Sequence, residues 1–138
     1  MVFVTRVEHF NAAHKLWNHN WSVEKNKEVF GKCANENYHG HNYELHVTVK
    51  GEVNHETGFV MNAKELGDII KTKIVDIADH CNLNIDVPFM SGKFTSAENF
   101  AIAIWEEIEN EIKLKGAQLH CVKLIETQRI YVEYFGNK

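Results

Sequence analysis

Proline is nearly absent from this chain, one residue in 138, and glycine is limited to eight, which excludes collagen-like and low-complexity compositions. Cysteine is scarce too. Cys33, Cys81 and Cys121 are odd in number and far apart, so a disulfide framework is not expected and the thiols read as reduced, in a reducing compartment. Long apolar runs are missing: Asn99–Trp105 and Gly116–Val122 each break after seven residues, far short of the roughly 18 that a membrane span needs. The first residues, MVFVTRVEHF, place Arg6 and Glu8 inside the first apolar stretch and have no basic start, long apolar run or small-residue cleavage site. A cytoplasmic protein is expected, with no membrane association. An excess of positive charge is also lacking, since 15 Lys and Arg face 19 Asp and Glu for a net charge of −4 and a pI near 6.1. No global basic field exists to hold nucleic acid, and an anionic ligand needs a local pocket.

What is present suits one globular domain over residues 1–138, with 44% hydrophobic and 25% charged residues and no compositionally distinct half. Val2–Phe10 alternates with β-branched residues and predicts a strand. Asn11–Asn37 has no sustained period and reads as a long insertion of the kind that carries function. Asn42–Gly51 alternates again. Asn62 and Glu65 form a capping box ahead of Leu66, Ile69, Ile70, Ile74 and Ile77, predicting a helix over about Ala63–Ala78. Thr95 and Glu98 repeat the signature before a second helix over about Ser96–Lys113, and Gln118–Thr127 and Arg129–Phe135 read as a hairpin. The expected class is α+β, a four-stranded antiparallel sheet with two helices on one face. Its two open edges favour association between copies.

Nine histidines are many for this length, and their placement matters more than their number. His39 and His41, two apart at the entrance to the second strand, point to one face, with Gly40 leaving room between them. His14 lies just past the first strand, which can pair beside the second. Three neutral imidazoles with a fourth position open make a catalytic zinc site, whereas a lone His-x-His is equally two exposed polar residues. Cys33, beside Lys32, Asn35 and Glu36, reads as a base or nucleophile whose thiolate a nearby cation favours, or as a buried apolar thiol. Asp79 can orient His80 for proton transfer, or His80 can simply meet the dipole at a helix end. Glu126 at a strand end is unremarkable alone. His9, His19, His46, His55 and His120 form no comparable arrangement.

Seven motifs occur in order: Phe10-Asn11-Ala12-Ala13-His14, Gly31-Lys32-Cys33, His39-Gly40-His41-Asn42-Tyr43, Gly58-Phe59-Val60-Met61-Asn62, Asp79-His80-Cys81-Asn82-Leu83, Ser96-Ala97-Glu98-Asn99 and Ile125-Glu126-Thr127. Together they resemble the 6-pyruvoyl tetrahydropterin synthase family over essentially the whole chain. The resemblance implies the tunnelling fold, ββααββ subunits whose sheets join into a barrel in trimers that stack as hexamers, and a substrate, 7,8-dihydroneopterin triphosphate. It implies zinc on His14, His39 and His41, Cys33 as base, Asp79 and His80 completing proton transfer, and Glu126 gripping the pterin edge. Ser96 and Glu98 match a second pterin-contacting stretch. Ala97 stands where the family often has a second threonine, and Cys81 where a basic residue is frequent.

Two products are known within the family. The five residues between Cys33 and His39, and Asn62 after Val60-Met61, resemble the pyruvoyl-forming synthase. The alternative is the 6-carboxytetrahydropterin synthase of queuosine biosynthesis, which releases acetaldehyde and triphosphate. A non-catalytic pterin-binding module would need neither Cys33 nor His80, so the presence of both favours an enzyme.

Overall fold

The computed structural model describes residues 1–137. β1 spans Val2–His14 and pairs antiparallel with β2, His39–Gly51, along its whole length, from Val2 opposite Gly51 to His14 opposite His39. Both strands are longer than their β-branched runs predict. Asn11–His14 and His39–His41 have weak strand propensity, but each supplies the ladder the other needs.

The intervening segment is more ordered than its sequence suggests. It holds α1 (Val23–Phe30), where Ser22 accepts a hydrogen bond from the Lys25 N–H at 3.1 Å, and a 3-10 turn over Gly31–Ala34. The buried anchor of α1 is Asn26. Its side chain accepts from the Asn18 N–H (2.7 Å) and donates to the Asn18 and Ser22 carbonyls (2.9 and 3.0 Å). A helix anchored by a polar residue leaves no hydrophobic period to read.

The first predicted helix is α2 (Ala63–Ile70), a π-helical turn over Lys71–Val75 and a final turn α3 (Asp76–Ala78), with Leu66, Ile70 and Ile74 fully buried. α4 (Ala97–Leu114) is capped by Ser96, whose hydroxyl accepts from the Asn99 N–H at 3.2 Å; Thr95 lies one residue before the cap. Cys81–Asn82 forms β3, parallel to β1 at Ala12 and Ala13, and β4 (Gln118–Thr127) and β5 (Ile130–Tyr134) form the expected hairpin. The sheet therefore has five strands in the order β3-β1-β2-β4-β5, not four, and is not wholly antiparallel. A two-residue strand carries no periodicity to predict it. Within one chain this sheet is open and is not a barrel.

One face of the sheet is covered by α2 and α4. Phe10, Tyr43, Leu45, Val47, Val122 and Leu124 meet Leu66, Ile70, Phe100, Ile104 and Ile108 there. Among the described residues no helix is long and apolar enough to cross a membrane.

Candidate active site

Strand alternation runs the core-facing row of β1 through Phe10 and Ala12 to His14, and that of β2 back through Leu45 and Tyr43 to His41 and His39. The apolar core thus ends in three imidazoles. His14 sits directly opposite His39 in the ladder, and His41 opposite Ala12. Ring centroids are 4.6 Å (His14–His39), 5.1 Å (His14–His41) and 5.0 Å (His39–His41) apart, and one ligand atom from each ring lies within 4.8 Å of the others.

The protonation of this cluster follows from its surroundings. His14 is 2% exposed, and its Nδ1 lies 2.6 Å from the Thr95 carbonyl. A carbonyl only accepts, so Nδ1 carries the hydrogen and Nε2 keeps a free lone pair. Burial pushes the His14 pKa down to about 4, with the Thr95 carbonyl opposing and His39 and His41 adding to the shift. His39 is lowered by burial and then by His41. His14 Nε2, His39 Nδ1 and His41 Nε2 are buried without a hydrogen-bond partner. Unpaired buried nitrogens are costly, and a cation shared among them removes that cost, so the donor set fits a zinc ion held by three neutral imidazoles.

Glu126 reaches the same cluster from β4. It is the extra residue of a β-bulge, since Ile125 pairs with Tyr131 while Thr127 pairs with Ile130. Its Oε1 lies 3.8 Å from His41 Nε2 and its Oε2 3.9 Å from His14 Nε2, too long for hydrogen bonds. The Tyr43 hydroxyl, also buried and unpartnered, is driven to a high pKa by burial and by Glu126. Cys33 occupies the 3-10 turn after α1, and its carbonyl accepts from the Leu16 N–H at 2.8 Å, two residues beyond His14. Its thiol is half-buried, as is that of Cys81, while Cys121 is buried, and none of the three forms a disulfide.

Asp79 and His80 form the expected pair, with Asp79 Oδ1 3.0 Å from His80 Nδ1. Asp79 also accepts from the Asn11 N–H at 3.0 Å, and the His80 N–H donates to the Asn11 carbonyl at 2.7 Å. These bonds hold His80 in a left-handed conformation (φ +62°) that a non-glycine residue rarely adopts. The Asp79 carboxyl is held low, first by the Asn11 N–H and then by His80. His80 lines a cavity of about 490 Å³ with Asn11, Ala12, Gly40, His41 and Asn42, so the pair and one residue of the imidazole cluster border the same space. Among the described residues no hydrogen bond or ion pair joins the two groups.

Ser96 and Glu98 also stay apart from the cluster in this chain: the Ser96 hydroxyl caps α4, and Glu98 is exposed. Thr95, by contrast, holds His14 through its backbone. Its buried hydroxyl is 3.1 Å from both the Lys15 carbonyl and Asn84 Oδ1. Nothing in the sequence marks a carbonyl as the orienting group.

Convergent imidazoles, a facing carboxylate, a thiol on an adjacent turn and a separate carboxylate–histidine pair make up a candidate active site of metal-ligating and titratable groups. The model of the 6-pyruvoyl tetrahydropterin synthase family matches residues 3–137, and the chain belongs to that family, whose characterised members are lyases. The chain is 42% identical to 6-pyruvoyl tetrahydrobiopterin synthase of Dictyostelium discoideum over 98% of this chain and 96% of that protein. Identity to the Homo sapiens synthase is 39%, over 96% of this chain and 90% of that protein. The structure of Caenorhabditis elegans 6-pyruvoyl tetrahydropterin synthase superposes with a TM-score of 0.91 at 36% identity, covering 99% of this chain and 96% of that one.

Proposed function

We propose that the protein converts 7,8-dihydroneopterin triphosphate to 6-pyruvoyl-tetrahydropterin with release of triphosphate, a step of tetrahydrobiopterin biosynthesis, in a zinc-dependent reaction. The observation that carries this reading is the buried three-imidazole cluster with Glu126 facing its open side. A zinc ion held by His14, His39 and His41 would supply Lewis-acid polarisation to the oxygens of the substrate side chain.

The remaining chemistry falls to the chain itself. Cys33, as thiolate, takes a proton from the side-chain carbon. His80, oriented by Asp79, returns a proton to the pterin ring, and the triphosphate leaves as the side chain rearranges. Glu126 accepts hydrogen bonds from the N–H groups at the pterin edge, a charge-assisted pairing that fixes the ring. The apolar floor formed by Phe10, Tyr43 and Phe100 keeps water from beneath the site.

Because no hydrogen bond or ion pair among the described residues joins Asp79 and His80 to the imidazoles, the complete set of groups is read as coming from two copies. The free edges support this: β3 covers β1 only at Ala12 and Ala13, and β5 is unpaired on its far side. We read the enzyme as a homo-oligomer, a trimer or hexamer whose sheets join into a barrel, with Ser96 and Glu98 as further pterin contacts, working in the cytoplasm. Incubation with dihydroneopterin triphosphate and mass analysis tests the reaction. A 6-pyruvoyl product is expected; a 6-carboxy product with acetaldehyde would assign the enzyme to queuosine biosynthesis instead.

A further inference from the structure

Apart from Tyr43, three polar side chains are buried among the described residues, and two of them meet: His14 at 2% exposed and Thr95 at 1%. Thr95 lies just ahead of α4, where no strand ladder fixes its peptide. The carbonyls on either side of it turn toward α4, that of Phe94 accepting from Asn99 Nδ2 at 3.1 Å and that of Ser96 from the Phe100 N–H at 2.9 Å. The Thr95 carbonyl between them faces His14 Nδ1 instead, at 2.6 Å.

A lone carbonyl in an irregular stretch is a poor anchor unless its peptide is held, and here the side chain of the same residue supplies the hold. The buried Thr95 hydroxyl lies 3.1 Å from the Lys15 carbonyl and 3.1 Å from Asn84 Oδ1. Both neighbours are acceptors, so the hydroxyl is the donor to this pair. Asn84 closes the arrangement on Lys15: its Oδ1 accepts from the Lys15 N–H at 2.9 Å and its Nδ2 donates to the Lys15 carbonyl at 3.0 Å. The Asn84 N–H is itself held by Asn82 Oδ1 at 2.9 Å, and the Leu83 N–H before it donates to the Ala13 carbonyl at 2.8 Å. Thr95 is therefore tied twice to consecutive residues, by its carbonyl to the ring of His14 and by its hydroxyl to the backbone of Lys15.

The two ties act on different properties of the ring. A carbonyl only accepts, so it selects the Nδ1–H tautomer and leaves Nε2 with the lone pair that an ion requires. The hydroxyl fixes where that carbonyl stands, and with it the angle at which His14 presents Nε2 toward His39 and His41. Those two rings are less buried than His14, so the most firmly held imidazole sets the frame to which the others adjust.

We propose that Thr95 is a positioning residue for the metal site: its hydroxyl, anchored on Asn84 and the Lys15 carbonyl, keeps its own carbonyl on His14 Nδ1 and so fixes the tautomer and orientation of that imidazole in advance of metal binding. This deepens the metal assignment made above and rests on it. Zinc alone is the probe, its affinity for the full-length protein measured by competition with a chromophoric chelator, while long-range proton–nitrogen NMR of the metal-free protein at neutral pH reads the His14 tautomer. Thr95→Val keeps the shape and deletes the hydroxyl. It should weaken zinc binding about tenfold or more and mix the Nε2–H tautomer into His14. Thr95→Ser, which keeps the hydroxyl and loses the methyl, should match wild type in both readouts. Asn84→Ala removes one anchor from an exposed position without opening the core, and should move both readouts in the direction of Thr95→Val by a smaller amount. Wild-type affinity and tautomer in Thr95→Val, or in Asn84→Ala should Thr95→Val not fold, would overturn the positioning role. A Thr95→Ser protein as weak as Thr95→Val would overturn it too, by placing the effect in methyl packing. A wild-type protein that takes up no zinc would overturn the metal reading, and a tautomer mixed in Thr95→Val but not in Thr95→Ser would still uphold the hold of Thr95 on His14.

Discussion

Glu126 faces the imidazoles because one extra residue in β4 turns the strand end inward, placing its two oxygens 3.8 and 3.9 Å from two ring nitrogens. At that distance it can grip a pterin edge or contribute to a cation site, and one substitution separates the two. Glu126→Gln replaces an acceptor by a donor facing other donors, and an unsatisfied buried group costs about 1–3 kcal/mol. Dihydropterin affinity, followed by fluorescence titration, should fall about tenfold or more with full metal content; loss of metal instead would move Glu126 into the cation site. His39→Ala with His41→Ala should abolish stoichiometric zinc on metal analysis, because two of three donors are removed. Retention of zinc would refute the site. Cys33→Ala should lose turnover while keeping metal and pterin binding, since the thiol is assigned to the proton and not to the ion. The histidines were legible because period-two alternation puts His39 and His41 on one face. Thr95 was not, because it meets His14 through a backbone carbonyl that no residue type marks.

Elements were legible where apolar periodicity built them. Leu66, Ile70 and Ile74 foretold the first helical segment, and Ile104, Ile108 and Ile112 the long one. α1 and β3 escaped because Asn26 anchors one and the other is two residues long. The ends of β1 and β2 escaped because pairing overrode poor local propensity. Asn26 nevertheless decides whether the segment carrying Cys33 is ordered, since its amide closes the loop on Asn18 and Ser22 with three hydrogen bonds. Asn26→Ala leaves the Asn18 N–H without its partner and removes one of the two hydrogen bonds at each of the Asn18 and Ser22 carbonyls, and should destabilise the protein by about 1–3 kcal/mol. A urea titration with limited proteolysis checks this, and cleavage should move to residues 15–38. An unchanged midpoint and cleavage pattern would show that the segment is held by other contacts, with the Trp21–Phe30 stack at 5.7 Å the next to remove.

At the scale of the molecule, the two groups proposed to handle protons are anchored at different places in the chain. Cys33 is tied by its carbonyl to the chain just beyond His14, whereas Asp79 and His80 are fixed to the backbone of Asn11, and His80 borders a cavity with His41. Subunit association was anticipated from the open edges, but this division was not, because β3 places His80 and no periodicity announces β3. If a working site takes Cys33 from one copy and His80 from another, Cys33→Ala and His80→Ala proteins are each inactive but complement one another. After unfolding and refolding as an equal mixture, about a quarter of randomly assembled sites contain both intact groups, so about that fraction of wild-type turnover should return. The separate proteins, treated alike, should recover none. Mixed oligomers verified by mass spectrometry that stay inactive would place both groups in the same copy.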